Sequence, residues 1–473
     1  MWRNGNFAVK PACVSDGKKT SLIPIRALPL CKTRAARLSR LFSWCRAGAL
    51  LLSCLILLSS QRFAAMEASA APADAVQAGP AVSAIAARID RRGATTRLIF
   101  ELSGPTTAQA FAATGPRIVV DLPEVAFLMD PAVGAAPPAP PARSRGAPEA
   151  EASLIRSFRF GRFAPGRSRI VIDLTRPAKA ARVESVQRPE GARLEIDLVA
   201  ENPWVFNAAV AQRLKAEALE APAALLPAVR EPAAAEKSPL PLVVLDPGHG
   251  GVDMGAQSRH GDMEKMIVFD FAQALKAKIE ARGKQRVVLT REEDVFIPLN
   301  DRVRFARERG AALFLSIHAD TLGAGGVRGA TIYTVAAHAS DAESALIAEK
   351  ENLADQAAGV EEVAKSEEVG DILFELARRE TRAFEHEFAQ TLLVKWRERA
   401  SLNKNPSRQA GFVVLKAHDV PSALLELGYL SSPEDLANLT SPNWRERAAE
   451  GVAEAIDAYF QAHAPPPSRA STK

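Results

Sequence analysis

A chain of 473 residues, 47% hydrophobic and 24% charged, has material for two or three domains, each with its own core. Its net charge of +5 does not point to a nucleic-acid partner, because residues 1–70 carry eleven Lys/Arg against two acids and the remainder is slightly acidic. All four cysteines, Cys13, Cys31, Cys45 and Cys54, lie in that leader, which excludes disulfides, thiolate metal sites and cysteine nucleophiles from the rest of the chain; all seven histidines lie after residue 248.

In the leader, Lys32, Arg34, Arg37, Arg40 and Arg46 precede an apolar run, Ala47 to Leu58, and a small-residue exit at Ala68-Ser69-Ala70. This is the pattern of a secretory signal peptide, too short to span a bilayer, so residues 1–70 are expected to be removed on export, leaving no transmembrane anchor. An uncleaved anchor is the alternative. Residues 80–200 then repeat one pattern of arginine, apolar residues, acid and leucine: Arg97-Leu98-Ile99-Phe100-Glu101-Leu102, Arg117-Ile118-Val119-Val120-Asp121-Leu122, Arg169-Ile170-Val171-Ile172-Asp173-Leu174 and Arg193-Leu194-Glu195-Ile196-Asp197-Leu198. Four similar short strands predict a small all-β domain with internal pseudo-symmetry, interrupted by a loose Ala/Pro loop, Pro131 to Pro148. With no histidine or cysteine, this domain is expected to bind rather than catalyse, unless its arginines serve only the sheet edges. Residues 201–238, Ala-rich and ending among prolines, read as a partly helical linker.

From 239 to 464 apolar strands alternate with helical patterns: strand 242–245, helix 264–281, strand 286–290, helix 299–309, strand 313–317, strand 329–334, a long polar-helical stretch, strands 411–415 and 423–427, and helix 444–461. That alternation predicts an α/β domain, a mixed sheet covered by helices on both faces, followed by a disordered tail, 465–473. Its chemistry-bearing residues fall at strand and helix ends. His249 follows the first strand in a glycine-dense turn, Glu264 opens a helix whose stripe Ile267, Val268, Phe271, Leu275 and Ile279 faces the sheet, and His318 ends an apolar strand. Two imidazoles and a carboxylate form a His₂Glu set suited to catalytic zinc with a position left for water, although a histidine at a strand end can also be purely structural. Glu426, a lone carboxylate in the strand Ala423-Leu424-Leu425-Glu426-Leu427, suits a base beside a zinc-bound water or a buried ion-pair partner.

In order along the chain, Leu245-Asp246-Pro247-Gly248-His249-Gly250-Gly251, Met263-Glu264-Lys265, Leu289-Thr290-Arg291, Leu315-Ser316-Ile317-His318-Ala319-Asp320 and Leu425-Glu426-Leu427-Gly428-Tyr429-Leu430 resemble the motifs of zinc-dependent N-acetylmuramoyl-L-alanine amidases of the Amidase_3 type. Residues 80–200 more loosely resemble the AMIN module that precedes such domains in cell-division amidases. The resemblance implies a periplasmic, septal enzyme that hydrolyses the amide between N-acetylmuramic acid and L-alanine in peptidoglycan for daughter-cell separation. It also implies His249, Glu264 and His318 as ligands of Zn²⁺ and Glu426 as the catalytic carboxylate. Residues 338–400 are longer than a compact connection needs and are expected to be a regulatory helical insertion; Ala348-Glu349-Lys350-Glu351-Asn352-Leu353-Ala354-Asp355 resembles the helix that, in division-associated members, places a glutamate on the zinc. Glu351 is the first candidate for that blocking residue and Glu349 the second; a solvated charged helix is the plainer alternative. Such gating implies an activator resembling a degenerate LytM-type peptidase domain.

His386-Glu387-Phe388-Ala389-Gln390 falls one histidine short of the H-E-x-x-H zinc helix and is set aside; His260 and His338 are expected on the surface, and His418 is left with an unproven role at the site's rim. Other readings are a zinc peptidase or carboxypeptidase acting within stem peptides, and a catalytically silent wall-binding regulator.

Overall fold

A computed structural model describes residues 82–135, 153–220, 240–323, 326–361 and 372–463. The expected leader with its signal peptide, most of the Ala/Pro loop, the second half of the linker and the tail lie outside the described residues. No helix among the described residues is long and apolar enough to cross a membrane.

The N-terminal domain is a β-sandwich. Strands β1 (Val82–Arg92), β2 (Thr95–Leu102), β5 (Val125–Phe127), β8 (Ala178–Arg188) and β9 (Gly191–Ala200) form one sheet in the order β5-β1-β2-β9-β8; β3 (Gln109–Ala113), β4 (Arg117–Pro123), β6 (Ile155–Ala164) and β7 (Arg167–Leu174) form the other in the order β3-β4-β7-β6. The four repeated segments are β2, β4, β7 and β9, and they pair as the centres of the two sheets, β2 with β9 and β4 with β7. Antiparallel register sets each repeat's arginine opposite its neighbour's acid: Arg97 meets Asp197 at 2.5 Å, Arg193 meets Glu101 at 2.9 Å, Arg117 meets Asp173 at 2.7 Å and Arg169 meets Asp121 at 2.6 Å. The charged ends of the repeat are therefore cross-strand ion pairs at the centre of each sheet rather than edge decoration. Between them Leu98, Phe100, Ile118, Val120, Ile170, Ile172, Leu194 and Ile196 fill the space between the sheets. The first part of the expected linker is a helix, α1 (Pro203–Glu220), docked on this domain because Phe206, Val210 and the partly buried Leu214 form one stripe at helical spacing.

The second domain carries a six-stranded mixed sheet of β10 (Leu242–Pro247), β11 (Arg286–Leu289), β12 (Leu313–His318), β13 (Ala330–Val335), β14 (Leu402–Ala410) and β15 (Ser422–Glu426), in the order β11-β10-β12-β15-β13-β14. All pairings are parallel except β13 with β15. Its strands alternate inward residues to two cores. Val243, Leu245, Leu315 and Leu425 pack under α2 (Glu264–Arg282), α6 (Ile372–Arg397) and α8 (Pro442–Ala462), while Leu242, Val244, Phe314 and Leu424 pack with α3 (Leu299–Glu308) and α4 (Ala342–Asn352) on the other face.

Three expectations are corrected. The strand expected at 411–415 is a single turn of 3₁₀ helix at Val413–Leu415, and the neighbouring strand is the polar β14 before it. As the edge of the sheet, β14 tolerates Pro406 and an exposed outer side, so its sequence does not look like a strand. A short helix, α7 (Pro433–Leu439), capped by Ser432, was not expected. Finally, the stretch 338–400 is not one unit apart from the fold: α6 sends Phe388, Leu392 and Trp396 into the main core and is integral to the domain, and α4 and the short α5 (Ala354–Ala357) precede it.

Candidate active site and metal centre

The C-terminal ends of the adjacent parallel strands β10, β12 and β15 bring the expected residues to one edge of the sheet, where open α/β sheets build their sites. His318 and Glu426 are register partners on β12 and β15, and His249 lies two residues beyond β10. His249 has φ +58°, a left-handed conformation that a residue with a Cβ adopts only when its surroundings impose it. Two buried arginines impose it. Arg302 donates to the carbonyls of Pro247 at 3.0 Å and His249 at 2.8 Å, and Arg291 donates to those of Pro247 and Gly248, each at 3.0 Å. Asp246, fully buried, accepts from Arg302 at 2.9 Å, Thr290 at 2.6 Å and Ser316 at 2.8 Å, so the loop and the strand end are tied into one polar network.

Within this frame His249 Nε2, His318 Nδ1, Glu264 Oε1 and Glu351 Oε2 converge. The nitrogens lie 3.2 and 3.3 Å from Glu264 Oε1, and 3.3 and 3.1 Å from Glu351 Oε2. These separations match the edges, about 3.3 Å, of a tetrahedron with metal–nitrogen bonds of about 2.0 Å. His249 Nε2 and His318 Nδ1 are buried without a hydrogen-bond partner, as is Glu351 Oε1. Orphaned imidazole nitrogens aimed at a common point beside two carboxylates fit a zinc ion, and the four residues form a buried group able to hold a metal. The orientation is set from behind: His249 Nδ1 meets Asp253 Oδ2 at 2.8 Å, and Glu264 accepts from the backbone of Ala319 at 2.9 Å and Ala256 at 2.7 Å.

The electrostatics follow from this crowding. Burial lowers both imidazoles, but Glu264, Asp253 and Glu351 outweigh it and hold His249 well above its usual range; in the same way Glu351 and Glu264 lift His318 to about 10. Glu426 is pushed the opposite way, well above the usual carboxylate range, by burial and by the acids Asp320, Glu264 and Glu351, which outweigh His318. Its Oε2 accepts from the backbone of Asp320 at 3.1 Å and its Oε1 has no partner, leaving one oxygen available for a proton-transfer role.

Helix α4 lies over this group. Asp341 caps it by accepting from Ser344 at 2.8 Å, and its buried face is Ser344, Ile347, Ala348 and Glu351, one stripe at helical spacing. Glu351 therefore points into the site, whereas Glu349 lies on the exposed side of the helix. Lys350 pairs with the buried Asp320 beside Glu426, and Asn352 bonds both ways with the 411–413 turn, so the helix is fastened on both sides of Glu351.

The remaining histidines stand apart from this edge. His260 and His338 are exposed, as are His386 and Glu387 of the near-motif. His418 precedes β15 and bonds Arg307 at 3.0 Å, at the opposite end of the strand from Glu426, so it has no place at the rim. Sequence reasoning missed the roles of Asp253, Arg302, Asp320 and Lys350; Asp253 follows His249 by four positions, Asp320 closes the motif that carries His318, and Arg302 and Lys350 sit in helical stretches whose charge looks solvated.

Residues 243–458 match the N-acetylmuramoyl-L-alanine amidase family, Amidase_3, and residues 86–198 match the AMIN domain. The N-acetylmuramoyl-L-alanine amidase AmiC of Escherichia coli O6:H1 is 30% identical over 383 residues, covering 80% of this chain and 89% of its own. The chain belongs to the N-acetylmuramoyl-L-alanine amidase family. The amidase is also similar to AmiA of Escherichia coli K12, 37% identical over 220 residues that cover 46% of this chain and 76% of that one. AmiC of Neisseria meningitidis serogroup B is 32% identical over 323 residues, 66% of this chain and 76% of its own. The β-sandwich of the amidase is its AMIN domain, and the mixed-sheet domain with the His249 cluster is its catalytic domain.

One glycine is required by this packing of His249 against Glu264. A Cβ on Gly255, whose φ is +66°, would stand 2.7 Å from both Glu264 Oε2 and the His249 ring. Gly255→Ala is expected to weaken zinc binding by about 10-fold or more, measured by competition with a chromogenic chelator, since displaced supports of metal ligands cost that much. Unchanged affinity would mean that the ligand set is less tightly positioned than these contacts require.

Proposed function

We propose that the amidase is a zinc enzyme that cleaves the amide between N-acetylmuramic acid and L-alanine in peptidoglycan, acting in the periplasm during daughter-cell separation after export by its signal peptide. We propose further that Glu351 closes the site until an activator of the LytM type withdraws α4. The convergence of unpartnered His249 Nε2 and His318 Nδ1 on Glu264 and Glu351 is the observation that carries this reading.

His249, Glu264 and His318 would hold the zinc, which when bound would supply Lewis-acid polarisation of the scissile carbonyl and acidify a water. Glu426 takes the proton of the attacking water on its free Oε1 and delivers it to the leaving alanine nitrogen, the backbone of Asp320 keeping its other oxygen in place. Burial suits Glu426 to this task, because it raises the carboxylate's affinity for the proton it takes up. The Glu351 carboxylate, as a fourth ligand, would fill the position that water and substrate need. Leu346 and Leu353, 57% and 47% exposed on the outer side of α4 and α5, offer an apolar surface for the displacing partner.

The test is digestion of purified sacculi by the chain without its leader, in the absence of activator. Glu351→Ala is expected to release intact stem peptides, with glycan strands uncut, at least about 10-fold faster than wild type, the scale of losing one dominant blocking contact of about 1.4 kcal/mol or more. Glu349→Ala should leave the rate unchanged, and a chelator should abolish activity that zinc restores. Shortened stems would indicate a peptidase, chelator-resistant turnover would remove the metal, and an unchanged rate for Glu351→Ala would remove the closed-site reading.

A further inference from the structure

The four-stranded sheet of the AMIN domain turns its outer face toward the catalytic domain, and it touches two places there. One is formed by two neighbouring loops, that after His249 and that after β11: the Val252 amide donates to the Arg162 carbonyl at 3.1 Å, Phe163 stacks on Phe296 with ring centres 5.9 Å apart, and Arg162 pairs with Glu293. The other is the exit of α4 and α5. Arg169, 5% exposed, donates to the carbonyls of Ala358 and Gly359 at 3.1 and 3.2 Å while holding Asp121 and lying 3.5 Å from the centre of the Phe163 ring. Glu361 pairs with Arg213 of α1 and accepts from the Thr114 amide. Gly359, at φ +70°, lies so close that a Cβ there would stand 2.6 Å from Val119. Ala113, Val119, Phe163 and Val171 of the sheet bury Val252, Phe296 and Ala358 in a single apolar cluster.

These contacts form a receptor built for the segment Ala358–Glu361. A main-chain stretch is gripped through its carbonyls by a buried arginine, its glycine is fitted to a valine, and its terminal carboxylate is matched by a second arginine. The segment begins seven residues after Glu351 and follows directly on the short α5, which succeeds the helix that carries Glu351. The same sheet simultaneously braces the loop behind the opposite side of the metal site, so the AMIN domain fixes lid and metal loop relative to each other.

We propose that the AMIN domain is a second lock on the active site: by seating Ala358–Glu361 on its four-stranded sheet it holds the Glu351 helix shut. The inference rests on the reading that Glu351 closes the site. It means that loosening the AMIN domain from the catalytic domain opens the site in part without any contact to the helix itself, and that an activator works against two sets of contacts rather than one.

The ion pair between Arg213 and Glu361 allows a test by charge reversal, since both residues lie away from the zinc ligands and at the periphery of the seat. Full-length processed enzyme is assayed on sacculi without activator, and backbone hydrogen exchange of residues 342–361 is followed in parallel. R213E and E361R are each expected to raise basal hydrolysis about three-fold or more and to speed exchange across 342–357, and the double variant R213E/E361R to return both toward wild type. In an E351A background neither reversal should add to the rate. If E351A accelerates hydrolysis but neither reversal changes rate or exchange, the AMIN lock is wrong and the closed-site reading stands; if E351A has no effect either, the closed-site reading has failed first. Faster exchange in both single variants that the double variant does not restore would also overturn the seat, because it would report general loosening rather than this pair.

Discussion

Glu426→Gln is expected to lower hydrolysis of sacculi by about 10³-fold while leaving zinc content intact. The substitution keeps the side chain's shape and an oxygen to accept the Asp320 amide, so the fully buried position at the end of β15 remains filled. What it removes is the group that takes up a proton and returns it, a contribution usually worth about 10²- to 10⁴-fold. The measurement is made in wild-type and Glu351→Ala backgrounds side by side, with metal content determined on the same preparations. Retention of more than about a tenth of the activity would show that proton transfer runs through another group, whereas loss of zinc would show that Glu426 supports the metal instead.

The second large effect is expected at a residue that touches no proposed ligand atom. Arg302 is 2% exposed and Asp246 is fully buried, and their 2.9 Å pair is the charged centre of the network that holds the His249 loop. Arg302→Ala leaves Asp246 buried with only two hydroxyl donors, frees the carbonyl of His249 and leaves that of Pro247 to Arg291 alone. Breaking one side of a buried pair costs about 3–5 kcal/mol. The outcome should be a lower unfolding midpoint of the zinc-loaded catalytic domain together with weaker zinc retention, because His249 keeps its left-handed backbone only while those carbonyls are held. A shift in stability below about 1 kcal/mol, within the range of an exposed pair, would mean that water replaces the guanidinium and that the loop holds itself.

The metal-facing half of the site was legible from the chain alone because its residues terminate apolar runs. His249, His318 and Glu426 each end or follow a continuous hydrophobic strand, and such runs can only be buried parallel strands whose ends form a site. Arg302 was not legible for the opposite reason. It sits among the charges of a helix that looks solvated, and its partner Asp246 lies 56 positions earlier, so no local pattern reports the pair. Glu351 was separable from Glu349 in principle, since Ser344, Ile347, Ala348 and Glu351 share one helical face. In the AMIN domain the central strands announced themselves by repetition, while β1 and β8, largely exposed at the flanks of their sheet, carry too few apolar residues to register. The contact between the β4–β7 sheet and residues 358–361 had one sequence signal that went unread. Val119 and Val171 are apolar where the corresponding repeat of β9 has Glu195, so the β4–β7 sheet is apolar on both faces and must be covered by something.

The position of α4 in the chain has a consequence for how such enzymes diverge. β13 and β14 are parallel neighbours at the edge of the sheet, and a parallel pair requires a crossover, which α6 supplies from the core. Helix α4 occupies the same connection but precedes α6, so its gain, loss or replacement leaves strand order and the edge bearing His249, His318 and Glu426 untouched. A lineage can thus inherit the catalytic fold with or without α4, and outward positions such as Leu346 can drift while the residues of the His249 cluster stay under separate selection.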